Sequence, residues 1–202
     1  MALPALEIKT IASSREIDRF VRFPWQIYKD DPYWVPPLIR DVKFKLDRSR
    51  HPFFDHARMA LFTVCRGERI LGRLAAVVDA RHNQFHQERT GFFGMFECVR
   101  DYDAAQALFA AAECWCRDQG MDRIRGPVNL SMNDECGFLL EGFDASPVIM
   151  MPYNPPYYLE FCERYGFEKA KDLYAYLKGE VGVVGRIAKL VERVRKKEHV
   201  VV

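Results

Sequence analysis

The chain has 202 residues, 49% hydrophobic and 29% charged, with 30 basic against 28 acidic side chains for a formal charge of +2. A chain of this length buries roughly 70% of its unfolded surface and needs no disulfide or metal to hold a core. The composition excludes a wholly disordered chain, and no run reaches the ~18 apolar residues that a membrane span needs.

A charge so close to zero speaks against a dedicated polyanion binder. Met1-Ala2-Leu3-Pro4 has no charged n-region before an apolar stretch, so no secretory signal is expected. Cys65, Cys98, Cys114, Cys116, Cys136 and Cys162 form no CxxC pair. Reduced thiols in a cytoplasmic protein are the expectation.

Along the chain, Leu6 to Ile11 alternates as a short strand, and Ser13 with Glu16 reads as a capping box. Ile17, Phe20 and Val21 then share one helical face. Asp31-Pro32-Tyr33-Trp34-Val35-Pro36-Pro37 breaks the helix and offers aromatic anchors, and Leu38 to Leu46 suits a further short helix. Arg58 to Cys65 and Arg69 to Asp79 flank Arg66-Gly67-Glu68, the pattern of a hairpin. Arg81 to Arg89 reads as a polar connection, and Gly91 to Val99 as a third strand rich in Phe.

Asp103-Ala104-Ala105-Gln106 resembles a second capping box, opening a helix that carries Leu108, Ala111 and Trp115 and stops at Gly120. Arg123 to Val128 follows as a strand interrupted by Gly126-Pro127. Leu130 to Ser146 is polar and irregular, and Val148-Ile149-Met150-Met151 reads as a short buried segment. Asn154-Pro155-Pro156 combines an N-cap with proline at N1 for a helix ending at Tyr165-Gly166. Leu173 to Leu177 is the last strand. One mixed sheet covered by helices is the simplest architecture for this order.

The tail differs. Ile187, Leu190, Val191 and Val194 make an apolar stripe among basic residues, and His199 to Val202 begins another strand. The expected organisation is one domain over 1–180 and a helical extension over 181–202, leading into a further half. The stripe needs burial, either on that half or on a second copy of the chain. Its basic residues read as a solvated face, with nucleic acid the less favoured partner.

The order of elements, and Glu163-Arg164-Tyr165-Gly166-Phe167 at the end of the last helix, resemble the GCN5-related N-acetyltransferase superfamily. More narrowly, five segments resemble the N-terminal half of bacterial tandem acetyltransferase-like proteins. They are Pro32–Pro37, Gly91–Gly94, Gly126–Asn129, Asn133–Cys136 and Met150–Tyr158. The resemblance spans residues 6–178. It implies an α/β (α+β) acyl-CoA N-acyltransferase fold, a mostly antiparallel sheet flanked by helices. It also implies transfer of an acyl group from acetyl-CoA or another acyl-CoA to the amine of a small molecule or peptide. Neither a metal nor a membrane is implied.

The resemblance carries over residue by residue. The superfamily cradles the CoA pyrophosphate on Arg/Gln-x-x-Gly-x-Gly/Ala at a helix start. The matching register here is Arg100-Asp101-Tyr102-Asp103-Ala104-Ala105, with Asp103 at the first glycine. Asp103 is expected to cap the helix through the N–H of Ala105 or Gln106, and its carboxylate competes with a phosphate. The donor-side positions are Phe96, Glu97 and Cys98 on the third strand, then Arg100, Ala104, Ala105 and Asn154. Cys162 stands where the family often places a tyrosine that protonates the departing thiolate, and Tyr157 and Tyr158 offer hydroxyls one turn earlier. A buried cysteine such as Cys162 is more often a small apolar core residue.

Asn129, Ser131, Asn133, Asp134 and Glu135 are the densest polar cluster. They suit either a loop of Asx-turns or a site in which Asp134 or Glu135 takes the amine proton, with Asn129, Asn133 and Tyr153 on the acceptor. Glu97 alternates with Phe96 and Cys98 and reads as a surface carboxylate. His82 and His86 have the spacing of a helical metal pair but lack a third ligand. Three functions stay open: an acyl-CoA N-acyltransferase, a catalytically silent acetyltransferase-like structural or ligand-binding domain, and an aminoacyl-transferase of the tandem type.

Overall fold

In a computed structural model of the chain, residues 4–176 and the single positions Lys189, Glu192 and Arg193 are described. Two compact units divide it, Met1–Ala170 and Lys171–Val202, and the strands and helices numbered below lie in the first. The expected stripe of Ile187, Leu190, Val191 and Val194 lies outside the described residues.

Strands β1 (Leu6–Thr10), β2 (Ala57–Arg66), β3 (Arg69–Asp79) and β4 (Thr90–Cys98) are successive antiparallel neighbours, and β5 (Arg123–Arg125) pairs parallel to β4. A two-residue turn through Gly67 (φ +60°) closes the β2–β3 hairpin. The parallel step needs a crossover, and α5 (Tyr102–Asp118) supplies it.

Both faces of the sheet are covered, so the central strands are buried along almost their whole length. On one face Phe62, Val64, Leu74, Phe93 and Phe96 meet α5 and α6 (Tyr157–Tyr165). On the other, Leu61, Ala75, Val77 and Phe92 meet α1 (Ser14–Arg22) and the segment that follows it. Ser13 closes α1 with the expected capping box, its Oγ accepting from Glu16 N–H while Glu16 accepts from Ser13 N–H at 2.9 Å. The short helices α2 (Pro24–Ile27) and α3 (Ile39–Lys45) flank the predicted breaker, where Trp34 stacks on Tyr28 at 4.9 Å.

One irregularity in β4 decides which side chains reach which face. Two steps of β3, Arg73 to Ala75, oppose three steps of β4, Glu97 to Gly94. The extra residue is a bulge at Met95, whose φ is +49°. It reverses the alternation, so that Glu97 points to the α1–α2 face.

Several local expectations are corrected. Arg81–Arg89 is not a plain connection but holds α4 (Ala80–His86), capped by Asp79. The cap of α5 is Asp101, accepting from Ala104 N–H at 3.2 Å, and Asp103 lies inside the first turn. The third residue before Ala104 has the reach for that bond, and Arg66 holds the carboxylate in place at 3.1 Å. The strand at 123–128 ends at Arg125, because Pro127 has no N–H for the ladder. Val148–Met151 is exposed rather than buried, with Ile149 at 91%. Asn154 does not cap α6, whose N-cap is Pro156. Residues 171–176 carry no regular structure where a strand was expected.

Candidate active site

Arg73 and Glu97 face each other across β3 and β4. Both are nearly out of water, with side chains 8% and 14% exposed, and Glu97 is therefore not the surface carboxylate its strand position suggested. Arg73 Nη2 lies 4.0 Å from Glu97 Oε1. Arg73 Nη1 donates to the Phe20 and Val21 carbonyls at 2.8 and 3.3 Å, where a cation complements the C-terminal end of α1. Its guanidinium also sits 5.0 Å from the Phe20 ring centre.

Two tyrosines complete the cluster from opposite sides of the sheet. Tyr28, at the end of α2, and Tyr158, on α6, both donate to Glu97 Oε2, at 2.9 and 2.8 Å. Burial and the carboxylate push both phenols far above their ordinary value, so they remain donors. Burial raises the Glu97 carboxyl, and the Arg73 charge and the two hydrogen bonds oppose that rise. The arrangement is a carboxylate held between a buried cation and two fixed hydroxyls, able to bind or exchange a proton at the sheet edge.

That edge is the outer side of β4. Beyond Phe92 this side of the strand has no ladder partner, and the Val128 N–H and several side chains take over its backbone groups. Phe93 C=O accepts from Val128 N–H at 2.8 Å. Met95 N–H donates to Asn129 Oδ1, Cys98 N–H to the Tyr158 hydroxyl, and Cys98 C=O accepts from the Tyr157 hydroxyl, all at 2.8 Å. Phe138 packs into the same gap, 6.0 Å from the Tyr158 ring and 6.3 Å from Phe96. At the end of β4, Asp101 occupies the start of α5, while Arg100 lies 5.8 Å from the Tyr157 ring. Ala104 and Ala105 are fully buried against the sheet.

The structure thus gathers Phe96, Glu97, Cys98, Tyr157 and Tyr158 at one place. Cys162 packs on the α5–α6 core, with burial pushing its thiol up to about 12. Asn154 is buried and braces the loop, its Oδ1 accepting from Leu139 N–H at 2.7 Å. Glu135 reaches β4 only through Asn129, which donates to it at 2.9 Å. Asp134 is held by the Ser131 hydroxyl at 2.8 Å and Lys45 at 3.0 Å, and the Asn133 N–H is bound to Ser131. Tyr153 donates to both oxygens of Asp31, 5.9 Å from the Tyr28 ring. Sequence reasoning missed Arg73, Tyr28 and Asp101. The signal for Arg73 was available: a lone charge inside the apolar run Ile70–Val78 demands a buried partner.

This arrangement of strands and helices superposes on solved acetyltransferase structures. An aminoglycoside acetyltransferase, meta-AAC0020, from an uncultured soil metagenomic sample superposes with a TM-score of 0.51 over 86% of this chain and 97% of its own, at 13% identity. A tandem GNAT protein from the clavulanic acid biosynthesis pathway gives 0.53 over 80% of this chain and 43% of its own, at 19% identity. The fold is that of the GCN5-related N-acetyltransferases.

Two curated proteins are nearer in sequence to this acetyltransferase-fold chain. Bacterial ceramide synthase of Caulobacter vibrioides is 38% identical over 187 residues, 92% of this chain and 48% of that protein. Protein YghO of Escherichia coli is 35% identical over 192 residues, 94% of this chain and 49% of that protein. The chain spans about half the length of the curated relatives it matches. No family profile matches it.

Proposed function

We propose that this chain is the acetyltransferase-fold part of a longer acyl-CoA N-acyltransferase, and that it does not itself hold the acyl-CoA. The reading rests on the closed outer edge of β4. In this fold the gap between β4 and β5 is where the resemblance sets the acyl donor, with strand N–H groups polarising the thioester. Here Asn129 and Tyr158 already accept from the Met95 and Cys98 N–H groups, and Tyr157 donates to the Cys98 carbonyl. Asp101 fills the phosphate end, with Asp103 inside the first turn of the same helix. Acyl-CoA does not fit these residues as they stand.

The acceptor class follows from the likeness to the ceramide synthase. A ceramide is the N-acyl derivative of a long-chain amino alcohol, so the proposed acceptor is a long-chain amine. The proposed role of this part is support of the reacting half, with the Glu97 cluster holding α1 and α2 on the sheet.

Calorimetric titration of this chain with acetyl-CoA and with a long-chain acyl-CoA tests the division of labour. No saturable heat is expected, and saturable micromolar binding would return the donor to this fold. N-acylation of a long-chain amino alcohol by the longer protein tests the acceptor, and its absence overturns that part.

A further inference from the structure

Past the end of α2 lies a cavity of about 520 Å³. Tyr33, Phe143 and Tyr153 give it aromatic walls, and Gln26 and Asp31 line it with them. Asp31 is half-buried, and its carboxylate has about four lone-pair sites. The Tyr153 hydroxyl donates to both oxygens, at 2.9 and 2.8 Å, and the Tyr33 N–H to Oδ1 at 2.9 Å, which leaves Oδ2 able to accept again. Burial and this carboxylate push the Tyr153 phenol up to about 12, so it stays a neutral donor. Lys29 and Asp30 belong to the same lining. Among the described residues Asp31 meets no cation, and Lys29 is ion-paired to neither aspartate. Two carboxylates against one ammonium leave the cavity one negative charge in excess.

The two aromatic walls Phe143 and Tyr153 are the ends of one loop. Between them Val148 and Ile149 are 72% and 91% exposed, and the twelve residues Ala145–Pro156 hold no charge. Met151 stands two residues, at most about 7 Å of backbone, from Tyr153. Met150 has φ +68° in a turn closed by Met151 N–H on the Val148 carbonyl, a conformation that glycine adopts freely and methionine does not. On the other side the cavity adjoins the Glu97 cluster. The Tyr28 ring lies 5.9 Å from the Tyr153 ring, and its hydroxyl donates to Glu97 at 2.9 Å.

Aromatic faces and an unpaired carboxylate both attract an ammonium group. The Gln26 amide can donate to and accept from a neighbouring hydroxyl. We propose that this cavity seats the ammonium head of a long-chain amino alcohol on Asp31, and that its hydrocarbon tail lies along Val148–Met151. The proposal rests on the long-chain amine acceptor put forward above, and it adds a binding task to the supporting role of this part. The N-acylated product has no charge for Asp31 to answer and is held less tightly.

Calorimetric titration of this chain with 2-amino-1-octanol tests the site, against its N-acetyl derivative and 1-octanol. Saturable binding of the amine is expected, with both uncharged compounds about tenfold weaker or more. Asp31→Asn should weaken the amine about tenfold, the loss of one charge-assisted hydrogen bond. Asp41→Asn, in a separate cleft, should leave it unchanged. Val148→Ser with Ile149→Ser should weaken 2-amino-1-octanol about fivefold and leave 2-amino-1-butanol unaffected. Each variant is checked by circular dichroism for native fold. No saturable heat from the folded parent, equal binding of the uncharged compounds, or indifference to Asp31→Asn overturns the head site. Indifference to the serine pair, or equal loss for both amines, overturns the tail path. Acylation of the amino alcohol by the longer protein without binding here overturns this site and leaves the acceptor reading standing. Binding here without acylation does the reverse.

Discussion

At the scale of single residues, the Glu97 cluster is a set of groups whose removal should be felt jointly. Arg73 alone offers a full positive charge to the Glu97 carboxylate within this cluster, and it also caps the α1 carbonyls. Arg73→Met strands a carboxylate in a dry site, and breaking such a pair costs about 3–5 kcal/mol. Arg73→Met together with Glu97→Gln leaves no isolated charge and should lose distinctly less than the two single changes added together. Urea denaturation of the four proteins measures this. Strict additivity would mean that the 4.0 Å separation leaves the two charges energetically independent.

At the scale of elements, two devices set the site. Asp101 is the cap of α5, so Asp101→Ala should lower stability by about 1 kcal/mol. Asp103→Ala, inside the first turn, should cost only a few tenths, the ordinary worth of a carboxylate near a helix start. Thermal melts that rank Asp103→Ala as the worse change would restore the capping role read from the sequence. The second device is the close approach of β4 to the chain after β5. A Cβ on Gly94 would overlap the Val128 carbonyl oxygen, which is backbone and cannot swing aside. Gly94→Ala should therefore cost about 1–3 kcal/mol through overpacking, read as a fall in the urea midpoint. A neutral outcome would show that the cis Gly126-Pro127 segment can move away from the sheet.

At the scale of the whole molecule, the element order was legible because each signal is local. Ser13 with Glu16 is a capping box wherever it occurs. The Arg66-Gly67-Glu68 turn joins two apolar runs that have nowhere to go but each other. Gly120 and Gly166 both adopt positive φ at the helix ends predicted for them. The resemblance in Glu163–Phe167 and the solved acetyltransferase folds agree on one architecture. The candidate site was legible only in part. Tyr157, Tyr158, Glu97 and Cys98 were singled out one by one, but nothing local said that they share hydrogen bonds.

The sequence by itself determined the first four strands, most helix limits and the fold, since period, caps and turns act over a few residues. Only the tertiary structure decided the environment of each group. Glu97 meets Arg73 and Tyr28 because a one-residue bulge at Met95 reverses the alternation of β4, and a bulge shows only when the facing strand is in register. Asp101 outcompetes Asp103 for the cap because Arg66, from a distant strand end, steadies its carboxylate. Val148–Met151 is as apolar as a core strand, yet no element is placed to cover it among the described residues. Burial depends on where other parts of the chain come to lie, and short-range pattern carries no record of that.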